Sequence, residues 1–176
     1  MKLKLDIKPD LVTLGKGLGS GVPCSGVMGT SAIMDILPPG SMGSTNGGNP
    51  LSSRAALTAI SIMEEENLVA NSANMGELFK ARFEKIQAKH EQLGDIRGMG
   101  LVWGLELVKD AESKTPDPEL TRRTINNAFQ MGLCVIAPIG VHKNVVRVAP
   151  PLVISEAEAN ESLDIFEAAF EQALKG

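Results

Sequence analysis

A chain of 176 residues, 43% hydrophobic and 22% charged, is long enough for one globular domain with a core of its own, or for one and a half lobes of something larger. Its net charge of −4 argues against nucleic acid as a partner, and with 3% aromatic residues and no tyrosine it offers no stacking platform for bases. No stretch is apolar for long enough to span a bilayer, which excludes a membrane-spanning helix.

In chain order, the first predicted element is a strand over residues 11–14, short, apolar and read as buried. Residues 1–4 lack the apolar core and cleavage site of a signal peptide. Few residues precede that strand, so most of its sheet neighbours are expected from chain outside these 176 residues. After it, Gly15, Gly17, Gly19 and Gly21 surround Lys16 and force a turn. Residues 22–29 read as a second short strand, entered through Pro23. A helical turn follows over 31–37, with Ser31 as its cap, stopped by Pro38 and Pro39. Residues 41–50 form a loop of small residues leading into a helix whose first turn takes Pro50. The pattern stays helical to about His90, with a break near 67–71. Phe79 and Phe83, four residues apart, mark its core face with Leu78 and Ile86.

Residues 94–100 hold three glycines and read as a turn-rich junction, which places the domain boundary at 90/91. Beyond it the elements alternate: strand 101–108, polar loop 110–117, helix 118–131 ending at Gly132, strand 133–137, turn 138–143, strand 144–149. The last helix runs from Ser155, paired with Glu158 in a capping box, to Leu174. This order describes a small α+β domain over 91–176.

Cys24 and Cys134 lack metal-type spacing and suit a reducing compartment, so a cytoplasmic protein is expected. His90 and His142 are the only histidines and lie far apart, which argues against a zinc site and a Ser-His-Asp triad.

The candidate chemistry centres on Lys16. A lysine at the end of a buried strand, flanked by glycines, can point its amine into a cavity, where desolvation favours the neutral nucleophilic form. The plainer reading is a solvated turn lysine. Phosphate-loop readings fail: Lys16 is followed by Gly17 rather than Ser or Thr, and the alternating glycines do not give the G-x-G-x-x-G spacing. Ser44 and Thr45, before a helix start, suit either anion binding or capping. Arg147 stands in an otherwise apolar strand; its planar donors suit a carboxylate, a structural ion pair, or simply an exposed strand face.

Four segments in order resemble the class III (ω-type) pyridoxal-phosphate aminotransferases: 9–23 around Gly15-Lys16-Gly17, 43–51 with Ser44-Thr45, 96–107 from Ile96 to Leu107, and 146–152 with Arg147-Val148-Ala149-Pro150-Pro151. The resemblance implies an α/β chain, part of a fold-type-I large domain over 1–90 plus the small C-terminal domain over 91–176. It implies Lys16 as the Schiff-base lysine for pyridoxal 5'-phosphate, Ser44 and Thr45 on the cofactor phosphate (reaching across a dimer interface), and Arg147 on the substrate carboxylate. It implies a homodimer or higher homo-oligomer and an amino acid or ω-amino acid donor, such as 4-aminobutyrate, ornithine or acetylornithine, with a 2-oxo acid acceptor. Racemases and a decarboxylase share the scaffold. The family's phosphate cup, ring-stacking aromatic and pyridine-nitrogen aspartate lie upstream of the lysine; only fifteen residues precede Lys16 here, and Asp6 and Asp10 are too near it to serve. The chain therefore reads as the C-terminal half, without useful turnover alone. The alternatives are a non-catalytic oligomerising fragment and a lysine-dependent aldolase-like enzyme.

Overall fold

The computed structural model describes residues 8–41 and 43–176; residues 1–7, Asp6 among them, and Met42 lie outside the described residues. By contact the chain divides into two units, Met1–Asn67 and Leu68–Gly176. Among the described residues no helix is long and apolar enough to cross a membrane.

In the first unit, β1 (Leu11–Leu14) pairs antiparallel with β2 (Gly26–Gly29), Leu11 opposite Gly29 and Leu14 opposite Gly26. Among the described residues the ladder has only these two strands, and β1 is not the buried strand expected: Leu11 and Thr13 are exposed, Val12 and Leu14 half-buried. The expected strand 22–29 shortens to β2 because Val22 N–H donates to Gly19 O (3.0 Å), closing a turn, and Pro23 has no N–H to give. Helix α1 (Ser31–Met34) starts one residue earlier than its expected cap allows. Thr30 holds the cap position in extended conformation and Ser31 is already helical, and neither provides a side-chain cap. Helix α2 (Pro50–Glu65) takes proline in its first turn, as expected. This unit exposes many large apolar side chains, including Val27, Met28, Ile36, Leu51, Leu57 and Ile60.

The second unit begins where Asn67, at φ 53°, breaks the helix, and α3 (Leu68–Lys89) follows. Strands β3 (Leu93–Met99), β4 (Val102–Leu107) and β5 (Val145–Val148) form one antiparallel sheet in that order, with α4 (Pro118–Gln130) and α5 (Glu156–Leu174) completing the layer. The core joins Phe79, Phe83 and Ile86 of α3 to Trp103 and Leu105 of β4, Val146 of β5, and Phe166 and Phe170 of α5. That shared core is why α3 groups by contact with the C-terminal strands, although 90/91 is the division read from sequence.

Two stretches of this unit differ from the sequence expectation. The glycine-rich stretch 94–100 is mostly strand β3, because Gly98 gives close approach rather than a turn. A Cβ there would run into the Trp103 ring across the ladder. Only Gly100, at φ 56°, makes the turn to β4. Residues 133–137 alternate half-buried Leu133 and Val135 with exposed Cys134 and Ile136, yet they join no ladder. The free edge of β5 is met later, by Ile139, whose N–H and carbonyl exchange hydrogen bonds with Val145 at 3.0 and 3.2 Å. Elsewhere the local signals hold. Gly132, at φ 95°, follows α4, and Ser155 and Glu158 form the capping box of α5.

An ion network ties α3 to α5. Glu167 accepts from Lys89 Nζ (2.6 Å) and Arg82 Nε (2.8 Å), and Arg82 also bonds Asp164. These contacts, Lys89 first, hold the Glu167 carboxyl below its ordinary value and raise Arg82 further. A depressed carboxyl stabilises the fold above its unfolded value, near 4.5, and the contribution is lost as pH falls through the lower folded value. Glu167→Gln is therefore expected to cost about 1 kcal/mol at pH 7, or ~4–8 °C in melting temperature, with the difference closing below about pH 4. Melting curves of both proteins from pH 3 to 8 check this.

Candidate active site

Gly15 is fully extended (φ −176°, ψ −158°), and the chain then enters a 3-10 turn over Lys16–Gly19. Three backbone hydrogen bonds close the segment: Leu18 N–H to Gly15 O at 3.2 Å, Ser20 N–H to Gly17 O at 3.0 Å, and Val22 N–H to Gly19 O at 3.0 Å. Lys16 itself sits at φ 52°, in the left-handed region, and Ser20 at φ 46°. For a residue with a side chain that conformation costs about 1–2 kcal/mol, and such strain collects at active sites and switches. The turn lifts Lys16 out of the line of β1. Its side chain is exposed, so the described residues do not provide the burial that the sequence suggested. The turn packs against α2.

The loop carrying Ser44 and Thr45 leads to the start of that same helix. Ser44 O accepts from Gly47 N–H at 3.0 Å. The capping is done by Asn49, a residue the sequence reading passed over. Its Oδ1 accepts from Ser52 N–H at 2.9 Å, while its Nδ2 donates to Asn46 O at 3.2 Å and Ser52 Oγ at 3.1 Å. The signal was available, since Asn followed by Pro at the first helical position is a common start. With Asn49 as cap, Ser44 and Thr45 are left exposed, and among the described residues neither hydroxyl makes a hydrogen bond. The structure thus sets both the lysine turn and the Ser44–Thr45 loop on α2. No hydrogen bond among the described residues links Lys16 to either hydroxyl.

Arg147 lies in the second unit, on the outer face of β5. It stands opposite Gly104 of β4, which stands opposite Arg97 of β3. Residues directly opposite share a face, so two arginines flank a glycine in one row. Arg97 is neutralised by Asp95 (2.7 Å) and Glu106 (3.3 Å). Arg147 is exposed and makes no ion pair among the described residues, which show it on an open strand face rather than in a structural salt bridge. Beside it runs a groove of about 640 Å³ with apolar walls that include Phe79, Val148 and Phe166. Glu158, also on that groove, is committed to its cap: Ser155, through its hydroxyl and backbone N–H, holds the carboxyl below its ordinary value.

Residues 2–170 match the family described as class-III aminotransferase. The chain is 42% identical to the alanine/serine racemase of Pyrococcus horikoshii, covering 97% of this chain and 35% of that protein. It is 37% identical to the 5-aminovalerate aminotransferase of Pseudomonas aeruginosa, covering 96% and 39%. Among solved structures it superposes on a transaminase from the marine bacterium Virgibacillus with a TM-score of 0.88 at 27% identity, covering 97% of this chain and 40% of that one. The chain thus spans about two fifths of the length of the proteins it matches.

Proposed function

The chain belongs to the class-III aminotransferase family, and from that premise we propose that the whole protein transfers an amino group between an amino acid or ω-amino acid and a 2-oxo acid, using pyridoxal phosphate. Its α/β architecture is part of the fold-type-I transferase fold. Residues 1–90 then complete the large domain and 91–176 form the small one. The observation that carries the reading is Lys16: an exposed amine on a strained left-handed residue, on a turn packed against the helix that the Ser44–Thr45 loop enters. Unbonded hydroxyls and an accessible amine fit a phosphorylated aldehyde.

Lys16 would hold the cofactor through its amine, with Ser44 and Thr45 donating to the phosphate, by the family's habit from a neighbouring subunit. Pyridoxal phosphate, when bound, supplies the electron sink for charge left at the amine-bearing carbon. Displaced from the cofactor by the substrate's amine, the Lys16 amine would be free to take the proton from that carbon and give it back, acting as general base and then acid. Protonation of the same carbon by a second donor on the other face would give racemisation; delivery by Lys16 to a cofactor carbon would commit the amino group to transfer. Arg147, an exposed guanidinium beside an apolar groove, fixes the substrate carboxylate in a bidentate contact.

The family's phosphate cup, ring-stacking aromatic and pyridine-nitrogen carboxylate have no counterpart in these 176 residues, so we place efficient turnover in the whole, cytoplasmic, homo-oligomeric protein. A second reading, an oligomerising piece without catalysis, draws on the exposed Leu51, Leu57 and Ile60 of α2. It predicts association on gel filtration and no turnover by the whole protein.

The test is a survey of the whole protein with amino acids and ω-amino acids plus a 2-oxo acid, following new amino acid and chirality by chromatography. Transfer supports the reading. Racemisation without transfer moves the protein to the racemase branch, and neither reaction rejects catalysis. In the same assay Arg147→Met is expected to raise KM for carboxylate-bearing donors roughly 10- to 100-fold, since a hydrogen bond to a charged group contributes about 1.5–3 kcal/mol. Amines without a carboxylate should change little; an equal effect on both would remove Arg147 from the substrate site.

A further inference from the structure

Gly19 is the buried residue of the turn that carries Lys16. A Cβ placed on it would lie 3.1 Å from the Cβ of Cys24, 3.6 Å from the Cβ of Val22 and 3.7 Å from the Cys24 backbone nitrogen. The first of these is tighter than ordinary contact. A Cβ on Gly17, in the same turn, would meet nothing within 4 Å. Close packing is therefore a demand of position 19 and not of the whole glycine run. The approach arises because Val22 N–H donates to Gly19 O at 3.0 Å, folding the chain back so that Cys24 lies against the turn.

Lys16 and Ser20, at φ 52° and 46°, lie on either side of Gly19 in the turn. Strained conformations persist only where their surroundings over-determine them. The hydrogen bonds of the turn fix its closure, and the Gly19–Cys24 contact is the packing that opposes its relaxation. We propose that Gly19 and Cys24 are positioning residues that hold Lys16 in its left-handed conformation and so aim its amine, touching neither substrate nor cofactor themselves. The proposal rests on the reading of Lys16 as the cofactor lysine.

The experiment is reductive trapping in the whole protein. Pyridoxal phosphate is added, borohydride reduces the adduct, and peptide mass spectrometry gives the label on Lys16 relative to exposed lysines such as Lys109 and Lys143. Gly19→Ala should lower the relative label on Lys16 roughly tenfold, as small misplacements of a reacting group do. Cys24→Gly cannot clash; it removes the contact from the other side and should lower the label roughly threefold. The exchange Gly19→Ala with Cys24→Gly restores one Cβ to the gap and should bring the label back to within about twofold of the unmodified protein. A structural defect would instead spread label over all lysines and would not be repaired by the exchange. If either single variant labels Lys16 as the unmodified protein does, or the exchange fails to restore it, the positioning role is overturned. If the unmodified protein shows no preference for Lys16, the cofactor-lysine reading fails instead.

Discussion

Lys16→Ala in the whole protein is expected to lower amino-group transfer by roughly 10³-fold or more. Proton transfer by a positioned side chain contributes roughly 10²–10⁴-fold, and the same substitution removes the amine that would hold the cofactor. The loss should leave the fold intact. The Lys16 side chain is exposed and makes no ion pair among the described residues, so the stability of the cofactor-free protein should change by no more than about 0.5 kcal/mol. Added ethylamine, a free counterpart of the missing amine, should return part of the rate. Turnover of the alanine variant within tenfold of the unmodified protein would assign Lys16 to the turn alone.

Phe83→Ala is expected to have the largest effect on stability. Phe83 is fully buried where α3, β4 and α5 meet, with ring centroids 5.8 Å from Phe79, 5.9 Å from Trp103 and 5.9 Å from Phe166. Both neighbouring contacts across elements are edge-on, the arrangement aromatic rings favour. Truncating it leaves a cavity that three elements border, at a cost of about 3–5 kcal/mol against a typical total of about 5–15 kcal/mol. The second unit should then melt roughly 15–30 °C lower. Phe129→Ala, at an exposed ring on α4, should stay within about 0.5 kcal/mol. Urea unfolding of the two variants side by side checks the contrast. A loss under about 1 kcal/mol for Phe83 would mean that the α3–β4–α5 core is not the one described.

Features written into adjacent residues were legible. The capping box needs only Ser155 and Glu158, proline at the start of α2 needs only Pro50, and the Phe79–Phe83 stripe needs only helical spacing. Features that depend on distant partners were not. Glycine is the clearest case, because one residue type serves both turns and close approaches. Gly98 was read as part of a turn, yet it lies under Trp103 within a strand. Gly76 looks like a defect in α3, but a Cβ there would lie 2.6 Å from Gly100 O and 2.7 Å from Gly100 Cα, so only glycine lets the helix rest on the β3–β4 turn. Residues 133–137 were read as a strand, and Leu133 and Val135 are indeed half-buried in alternation with exposed Cys134 and Ile136, but a local apolar run carries no information about which strand edge is free. For the site, the spacing around Lys16 and the loop before α2 were visible locally. The left-handed conformation of the lysine and the Gly19–Cys24 contact were not, because both depend on how the chain folds back after Gly21.

The most direct measurement of the central claim is where pyridoxal phosphate attaches. The whole protein and the 176-residue chain are each mixed with the aldehyde, reduced with borohydride, digested and mapped by mass spectrometry. If Lys16 is the cofactor lysine, label concentrates on it in the whole protein, well above every other lysine. In the 176-residue chain label is expected to spread over the exposed lysines, since the amine there is present but unburied. Label spread evenly in the whole protein as well would leave Lys16 an ordinary turn lysine and refute its role.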